Sequence, residues 1–387
     1  MVHTILFRVG FLTVRKAYRS AFLILGVLLL TSCSKMVLRE RTTESTPIWS
    51  QIGRGPQKNH FIASQMIPPF EQKWMIRASS AISNPLVSAN GLVFYGTKDG
   101  KIEAVDIEKG KRIARLKIRG NIAATCLYYD RSLIVVRRIG QPTLERYDLL
   151  RGETIWRWRG KGTLGEPLLS HDFIYLTNPT GELTCLSLQD GKERWTKKFD
   201  RQLSGNPVAA NGLVIVADDA GEVIALSGED EAWRFQTKSS VRFTPAIAGT
   251  TVFVGSTDQS FYALNLADGK LLWTFPTGGK IYNGAAADGA NVIFAATDRV
   301  VYCFDQATGV LRWQFEMSAP PGTAPMIAGN FVYIGSMDKK LYALDLTNGQ
   351  SVWSFEAKGR VRVTPIAVDH MLIFGSEDDR LYGLKCP

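Results

Sequence analysis

The chain has 387 residues, 45% hydrophobic and 21% charged, a balance that can bury a real core and excludes a largely disordered protein. Its formal charge of +10 invites a nucleic-acid reading, but the basic residues form no block and no aromatic platform is interleaved with them, so that class is set aside. The 35 glycines and 9 tryptophans suit short strands joined by tight turns and predict an all-β architecture.

Residues 1–32 read as a secretory signal. Arg8, Arg15, Lys16 and Arg19 give a basic, acid-free start, and the apolar run over residues 21–30 is too short to span a bilayer but suits the core of an export signal. Without this segment 42 basic side chains face 36 acidic ones, a surplus of only six. Leu30-Thr31-Ser32-Cys33 resembles the bacterial lipobox. That resemblance implies cleavage before Cys33 and acylation of its thiol, a lipid (palmitate-type) anchor that needs no spanning helix. An ordinary signal followed by a buried or free cysteine is the other reading. Ser34 stands where an Asp would, under the enterobacterial sorting rule, favour the inner membrane, so the resemblance implies the periplasmic face of the outer membrane.

Residues 33–48 are polar and lack periodicity, which predicts a lipidated cysteine followed by a flexible tether. Residues 49–70 form a lead-in. Its Gly53, Gly55 and Pro56 set turns, which predicts a segment that plugs or covers one face, with a ligand loop as the alternative.

From residue 71 to 387 the chain repeats itself with a period near 40. Val252-Phe253-Val254-Gly255-Ser256, Asp258, Phe261-Tyr262-Ala263-Leu264, Gly269 and Trp273 return as Val332-Tyr333-Ile334-Gly335-Ser336, Asp338, Leu341-Tyr342-Ala343-Leu344, Gly349 and Trp353. Each unit holds four short alternating runs split by turns such as Asn90-Gly91 and Asn211-Gly212, the pattern of a four-stranded antiparallel blade. First-strand anchors at Pro85, Thr125, Pro167, Pro207, Pro245, Ala285, Pro325 and Pro365 make eight blades. The last unit holds only three strands, and residues 71–76 around Trp74 carry the missing fourth-strand pattern. The expected fold is therefore an eight-bladed β-propeller whose N-terminal strand closes the last blade and leaves no open seam.

Trp156, Trp195, Trp233, Trp273, Trp313 and Trp353 share one fourth-strand position, with Ala114 in that slot of blade one. The spacing Ala263-x-Asn265-x-x-x-Gly269-x-x-x-Trp273 resembles the tryptophan-docking motif of the quinoprotein (PQQ-like) propeller superfamily. The resemblance implies that these residues, with Trp74, clamp each blade to its neighbour. In blade four two residues are missing between Ala225 and Trp233, so a tighter turn is expected there. The lead-in, with Trp49 and Arg54-Gly55-Pro56, also resembles the segment before the first blade in secreted proteins of this superfamily.

A quinoprotein dehydrogenase would add a quinone, a calcium ion with carboxylate and amide ligands, an Asp base and often adjacent cysteines. Cys126, Cys185, Cys303 and Cys386 include no adjacent pair, and Cys185 and Cys303 replace the small Ala of the third strand, which reads as a buried structural role. His3, His60, His171 and His370 are isolated, without metal-ligand spacing. Asp258, Asp298, Asp338 and Asp378 recur blade after blade and read as turn residues. Neither a catalytic set, a metal site nor a cofactor is assigned.

Repeat-breaking positions remain. Three residues before the anchors stand Ile82, Ile122, Leu164, Ser204, Arg242, Tyr282, Gly322 and Arg362, a ring expected at one channel mouth. Arg242, Tyr282 and Arg362 could present two guanidiniums beside an aromatic ring to an anionic group or acidic partner; a solvated rim is the other reading. The anchor, the blades and the missing catalytic set together resemble the BamB-type family of outer-membrane lipoproteins. The resemblance implies a non-enzymatic periplasmic scaffold for β-barrel outer-membrane protein assembly, contacting a BamA-like barrel-inserting subunit and nascent outer-membrane proteins. A periplasmic quinoprotein enzyme or sugar/quinone binder, and a lipoprotein adhesion or sensing module, are the alternatives.

Overall fold

Two-residue turns set the length of the strands. Asn90 and Gly91 hold φ of 52° and 69°, and Asn211 and Gly212 hold 50° and 79°, the twist-matched geometry that folds consecutive strands back on each other. In blade one the strands Ile82–Ala89, Leu92–Thr97, Lys101–Asp106 and Arg112–Lys117 pair in chain order. A computed structural model describes residues 36–38, 49–118, 124–137, 141, 143–163 and 165–386, and these form eight sheets.

Burial follows position in the blade. Leu92–Thr97 is buried throughout because neighbouring blades cover both of its faces, whereas the fourth strand Leu271–Pro276 is exposed at four of its six residues. Blades diverge toward the circumference, so only inner strands need continuous apolar sequence. The ring closes as the sequence predicts. Glu71–Arg77 pairs antiparallel with Arg380–Lys385, placing Trp74 opposite Gly383 and Met75 opposite Tyr382. Ile82 of blade one shares a core cluster with Val363 and Phe374 of blade eight, sealing the junction. Blade seven gains a short fifth strand, because Phe61–Ile62 of the lead-in pairs in parallel with Met326–Ala328.

Apart from Trp156, which faces Arg146, the fourth-strand tryptophans sit opposite a small residue on the ladder, and most lie over a glycine of the next blade. Trp233, Trp273 and Trp353 sit opposite Ala225, Ala263 and Ala343, while Trp195 and Trp313 sit opposite Cys185 and Cys303. Burial pushes the Cys185 and Cys303 thiols up to about 11 and about 12, consistent with a packing role. Trp74, Trp156, Trp233, Trp273 and Trp313 then lie over Gly110, Gly191, Gly269, Gly309 and Gly349. A Cβ there would come within 2.3 to 2.6 Å of the indole. The same indoles donate Nε1–H to the carbonyls of Ile107, Leu188, Leu266, Gln306 and Leu346 at 2.7 to 3.1 Å.

Three fourth-strand positions, in blades three, seven and one, lack the indole-on-glycine contact with the next blade. Ser227 pairs directly with Asp230 in blade four, the tighter turn expected from its missing residues, and Trp195 packs on Tyr175 of its own blade at 5.9 Å. Trp353 meets Phe70 edge-on at 5.2 Å, because the turn it would cover is replaced in blade eight by the chain junction. In blade one Ala114 faces Ala104 and leaves the slot over Gly152 without an indole.

That slot is filled by the stretch expected to be a flexible tether. Met36 is fully buried among Leu116, Cys126 and Tyr147, and Val37 Cγ2 lies 2.5 Å from the place a Cβ on Gly152 would take. The Leu38 N–H donates to the Leu149 carbonyl at 2.8 Å. The expectation of free tether is corrected at residues 36–38: a vacant apolar slot and an unclaimed carbonyl hold them.

Candidate functional site

The lead-in closes one end of the central channel by meeting every blade in turn. Trp49 Nε1 donates to the Ala367 carbonyl of blade eight, and the Trp49 carbonyl accepts from Ser88 of blade one, both at 2.9 Å. The Ser50 carbonyl accepts from Tyr128 of blade two. Gln51 bonds both ways to the backbone of Leu169 in blade three, donating at 2.8 Å and accepting at 3.0 Å. The carbonyls of Pro56, Gln57, Asn59 and His60 then accept from Ala209, Ile247, Ala287 and Ile327 of blades four to seven, each at 2.9 Å. These bonds account for the inner-strand backbone groups that would otherwise face the channel without partners.

Such a path demands unusual backbone. Gly53, Arg54, Lys58 and His60 all hold positive φ, and a Cβ on Gly53 would lie 2.5 Å from the Lys58 Cα. The turn carries two ionisable side chains indoors, Lys58 at 1% and His60 at 3% exposure. Neither the Lys58 Nζ nor the His60 Nδ1 has a hydrogen-bond partner among the described residues. Burial pulls the Lys58 ammonium down to about 7, opposed by the Glu166 carboxylate. Burial, and then the Lys58 charge, hold His60 down at about 4, so its ring is neutral at pH 7. No periodicity or spacing in the sequence marks Lys58 or His60 as interior. Only the spiral of the lead-in carries them inside.

At the other end of the channel lies the opposite mouth. Residues one position before the strand anchors line its wall: Asn206 accepts from the Glu166 N–H at 2.7 Å and donates to Thr244 Oγ1 at 2.9 Å. Here a cavity of about 490 Å³ is bounded by Glu166, Gln202, Asn206, Asp219, Arg242 and Phe243 among others. Phe243 is 39% exposed and meets Tyr282 edge-on at 5.7 Å. Arg242 and Tyr282 are thus gathered at one rim, joined by a phenyl ring that was not singled out from sequence. Arg362, at the equivalent position of blade eight, pairs through its Nη1 with Glu377 at 3.1 Å, beside Arg360. Ile122, Leu164 and Cys33 lie outside the described residues.

The other candidates are accounted for locally. Asp258 and Asp298 accept from the hydroxyls of Tyr262 and Tyr302 at 2.8 and 2.7 Å, and from the backbone N–H groups of Ser260 and Val300; they are turn residues. His171 and His370 are exposed at turns of positive φ. A quinone with calcium would need convergent carboxylates. Among the described residues no three His, Cys, Asp or Glu side chains converge, and the lead-in backbone crosses one end of the channel. Neither observation assigns a place for that pair, and no chemistry is derived through it.

A family described as "Outer membrane protein assembly factor BamB" matches residues 46–197, 180–294 and 297–386. The chain belongs to this BamB family. Among curated protein sequences none matches. Several solved structures share the fold. BamB from Moraxella catarrhalis superposes with a TM-score of 0.67 at 16% identity, covering 82% of this chain and 100% of that one. The computationally designed Ika8 protein gives 0.72 at 16% identity over 80% and 97%. A quinohemoprotein alcohol dehydrogenase from Comamonas testosteroni gives 0.72 at 12% identity over 90% and 82%. At such identities these structures establish the propeller, which serves BamB proteins, a designed ring and a dehydrogenase alike.

Proposed function

We propose that this protein is a lipid-anchored scaffold on the periplasmic face of the outer membrane. It supports assembly and insertion of β-barrel outer-membrane proteins through protein–protein contacts, with a BamA-like subunit as its partner and Cys33 as the acylated residue. Membership of the BamB family across the propeller is the observation that carries this reading. The channel supports it. One end is occupied by the protein's own lead-in, so the surface offered to a partner is the opposite rim, where Arg242, Phe243 and Tyr282 combine a cation with exposed aromatic edges. Such a pairing is over-represented where protein partners dock.

Recovery of the protein from detergent-solubilised membranes tests this. A barrel-inserting subunit should co-purify, and Arg242→Ala with Phe243→Ala should reduce its recovery in a salt-sensitive way. Absence of any barrel-assembly subunit from the wild-type sample would overturn the scaffold reading.

A further inference from the structure

Basic residues are unevenly distributed around the ring. Residues 98–161, most of blades one and two, carry 16 Lys and Arg against 8 Asp and Glu, whereas the rest of the chain from residue 33 onward carries 26 against 28. The excess is not consumed by burial. The buried Glu103 carboxylate is flanked by two guanidiniums, Arg112 at 3.0 Å and Arg115 at 2.7 Å, and Glu145 by Arg137 at 2.7 Å and Arg157 at 3.3 Å. Each internal acid is overcompensated by one charge. On and beside the fourth strands the exposed positions are mostly basic or apolar: Lys111, Ile113, Arg115 and Lys117 in blade one, and Ile155, Arg157 and Arg159 in blade two, with Glu153 the one acid among them.

The N-terminal segment reaches the body at this same place. Met36, Val37 and Leu38 occupy the slot between blades one and two. Cys33 is three residues upstream of Met36, a reach of at most about 11 Å. We infer that the outer edge of blades one and two is the face this protein turns toward an anionic lipid surface. This rests on the reading of Cys33 as the acylated residue. Acyl chains hold the protein at the membrane, and the seated segment with the basic edge sets its orientation, since basic side chains act only within about a Debye length of the surface. In a ring of eight, blades five and six lie across from blades one and two. The rim of Arg242, Phe243 and Tyr282 is thereby held away from the bilayer.

Vesicle binding separates this inference from the anchor itself. The chain from residue 33 with Cys33→Ser, which retains every described residue, should bind phosphatidylglycerol/phosphatidylethanolamine vesicles at low salt and not phosphatidylcholine vesicles. Lys111→Glu, Lys117→Glu and Arg159→Glu together should weaken binding by at least about tenfold, while Lys238→Glu, Lys280→Glu and Lys358→Glu, on blades five, six and eight, should leave it within about twofold. Equal loss in both triple variants, or equal binding to zwitterionic vesicles, overturns the proposal and leaves the anchor reading standing. Absence of labelled palmitate on the full-length chain in cells overturns the anchor reading, and the orientation with it, whatever the vesicles show.

Discussion

The Leu38 N–H donates to the Leu149 carbonyl at 2.8 Å, at the place in blade two where Leu188, Leu266 and Leu346 of other blades accept from a tryptophan indole. A backbone amide thus stands in for an indole that blade one lacks. Ala114→Trp should restore the side chain and displace residues 36–38. Hydrogen exchange at the Leu38 amide checks this, slow in the wild type and fast in the variant, with the ring itself intact.

The docking tryptophans should not contribute equally. Trp233 is 7% exposed, lies on Gly269 and donates to Leu266, so Trp233→Ala should cost about 3–5 kcal/mol. Trp195 rests on Tyr175 of its own blade and should cost clearly less. Denaturant titration of the two variants orders them, and an equal loss would show that the inter-blade bond adds nothing.

Gln51 bonds to both backbone groups of Leu169 while 1% exposed. Gln51→Leu leaves a buried N–H and a buried carbonyl without partners and should destabilise the protein by roughly 2–4 kcal/mol. Gln51→Glu keeps one acceptor but loses the donor and introduces a buried charge, so its cost should rise with pH as the carboxyl ionises.

Lys58 and His60 make stability depend on pH. Both are held below their ordinary values by burial, Lys58 at about 7 against 10.5 and His60 at about 4 against 6.5. Between each pair of values the unfolded chain binds more protons than the folded one, so stability should climb as pH rises from about 4 to 6.5 and again from about 7 to 10.5. Below the lower value of each pair the full cost of burying the charge is present. Lys58→Met should remove the upper climb and raise the melting temperature at pH 6. Melting curves across pH 4 to 10 report both effects.

The enzymatic alternative has its own test. Quinone added with calcium should give no saturable absorbance change, since no convergent carboxylate set exists among the described residues. Saturable binding with dye-linked alcohol or sugar oxidation would require a site other than the channel wall described above.

Most of the ring was legible because its physics repeats. A tryptophan, a small residue opposite it and a glycine on the next blade recur in most units at a spacing near 40, and the unfinished last unit made Trp74 the natural closing residue. The seating of residues 36–38 was not legible, since three apolar side chains in a polar stretch show no period. The vacancy at Ala114 was the one available signal. Lys58 was hidden for a similar reason: a lysine is almost always exposed, and the contacts at Trp49, Ser50, Gln51, Pro56, Gln57, Asn59 and His60 are too unevenly spaced to announce a helical or extended pattern. Phe243 escaped notice because only its neighbour Arg242 stood at the aligned position, and the rim is formed by the two together.

The lead-in also counts. Its groups meet one inner strand after another, from blade eight and blade one round to blade seven, and the last of them, the His60 carbonyl, meets its partner just before Phe61–Ile62 joins the same blade. A ring of seven would leave one of these groups without a mate, and a ring of nine would leave a strand uncapped. The segment therefore acts as a ruler, and a lengthened or shortened copy of the propeller would need a matching edit about twenty residues before its first strand.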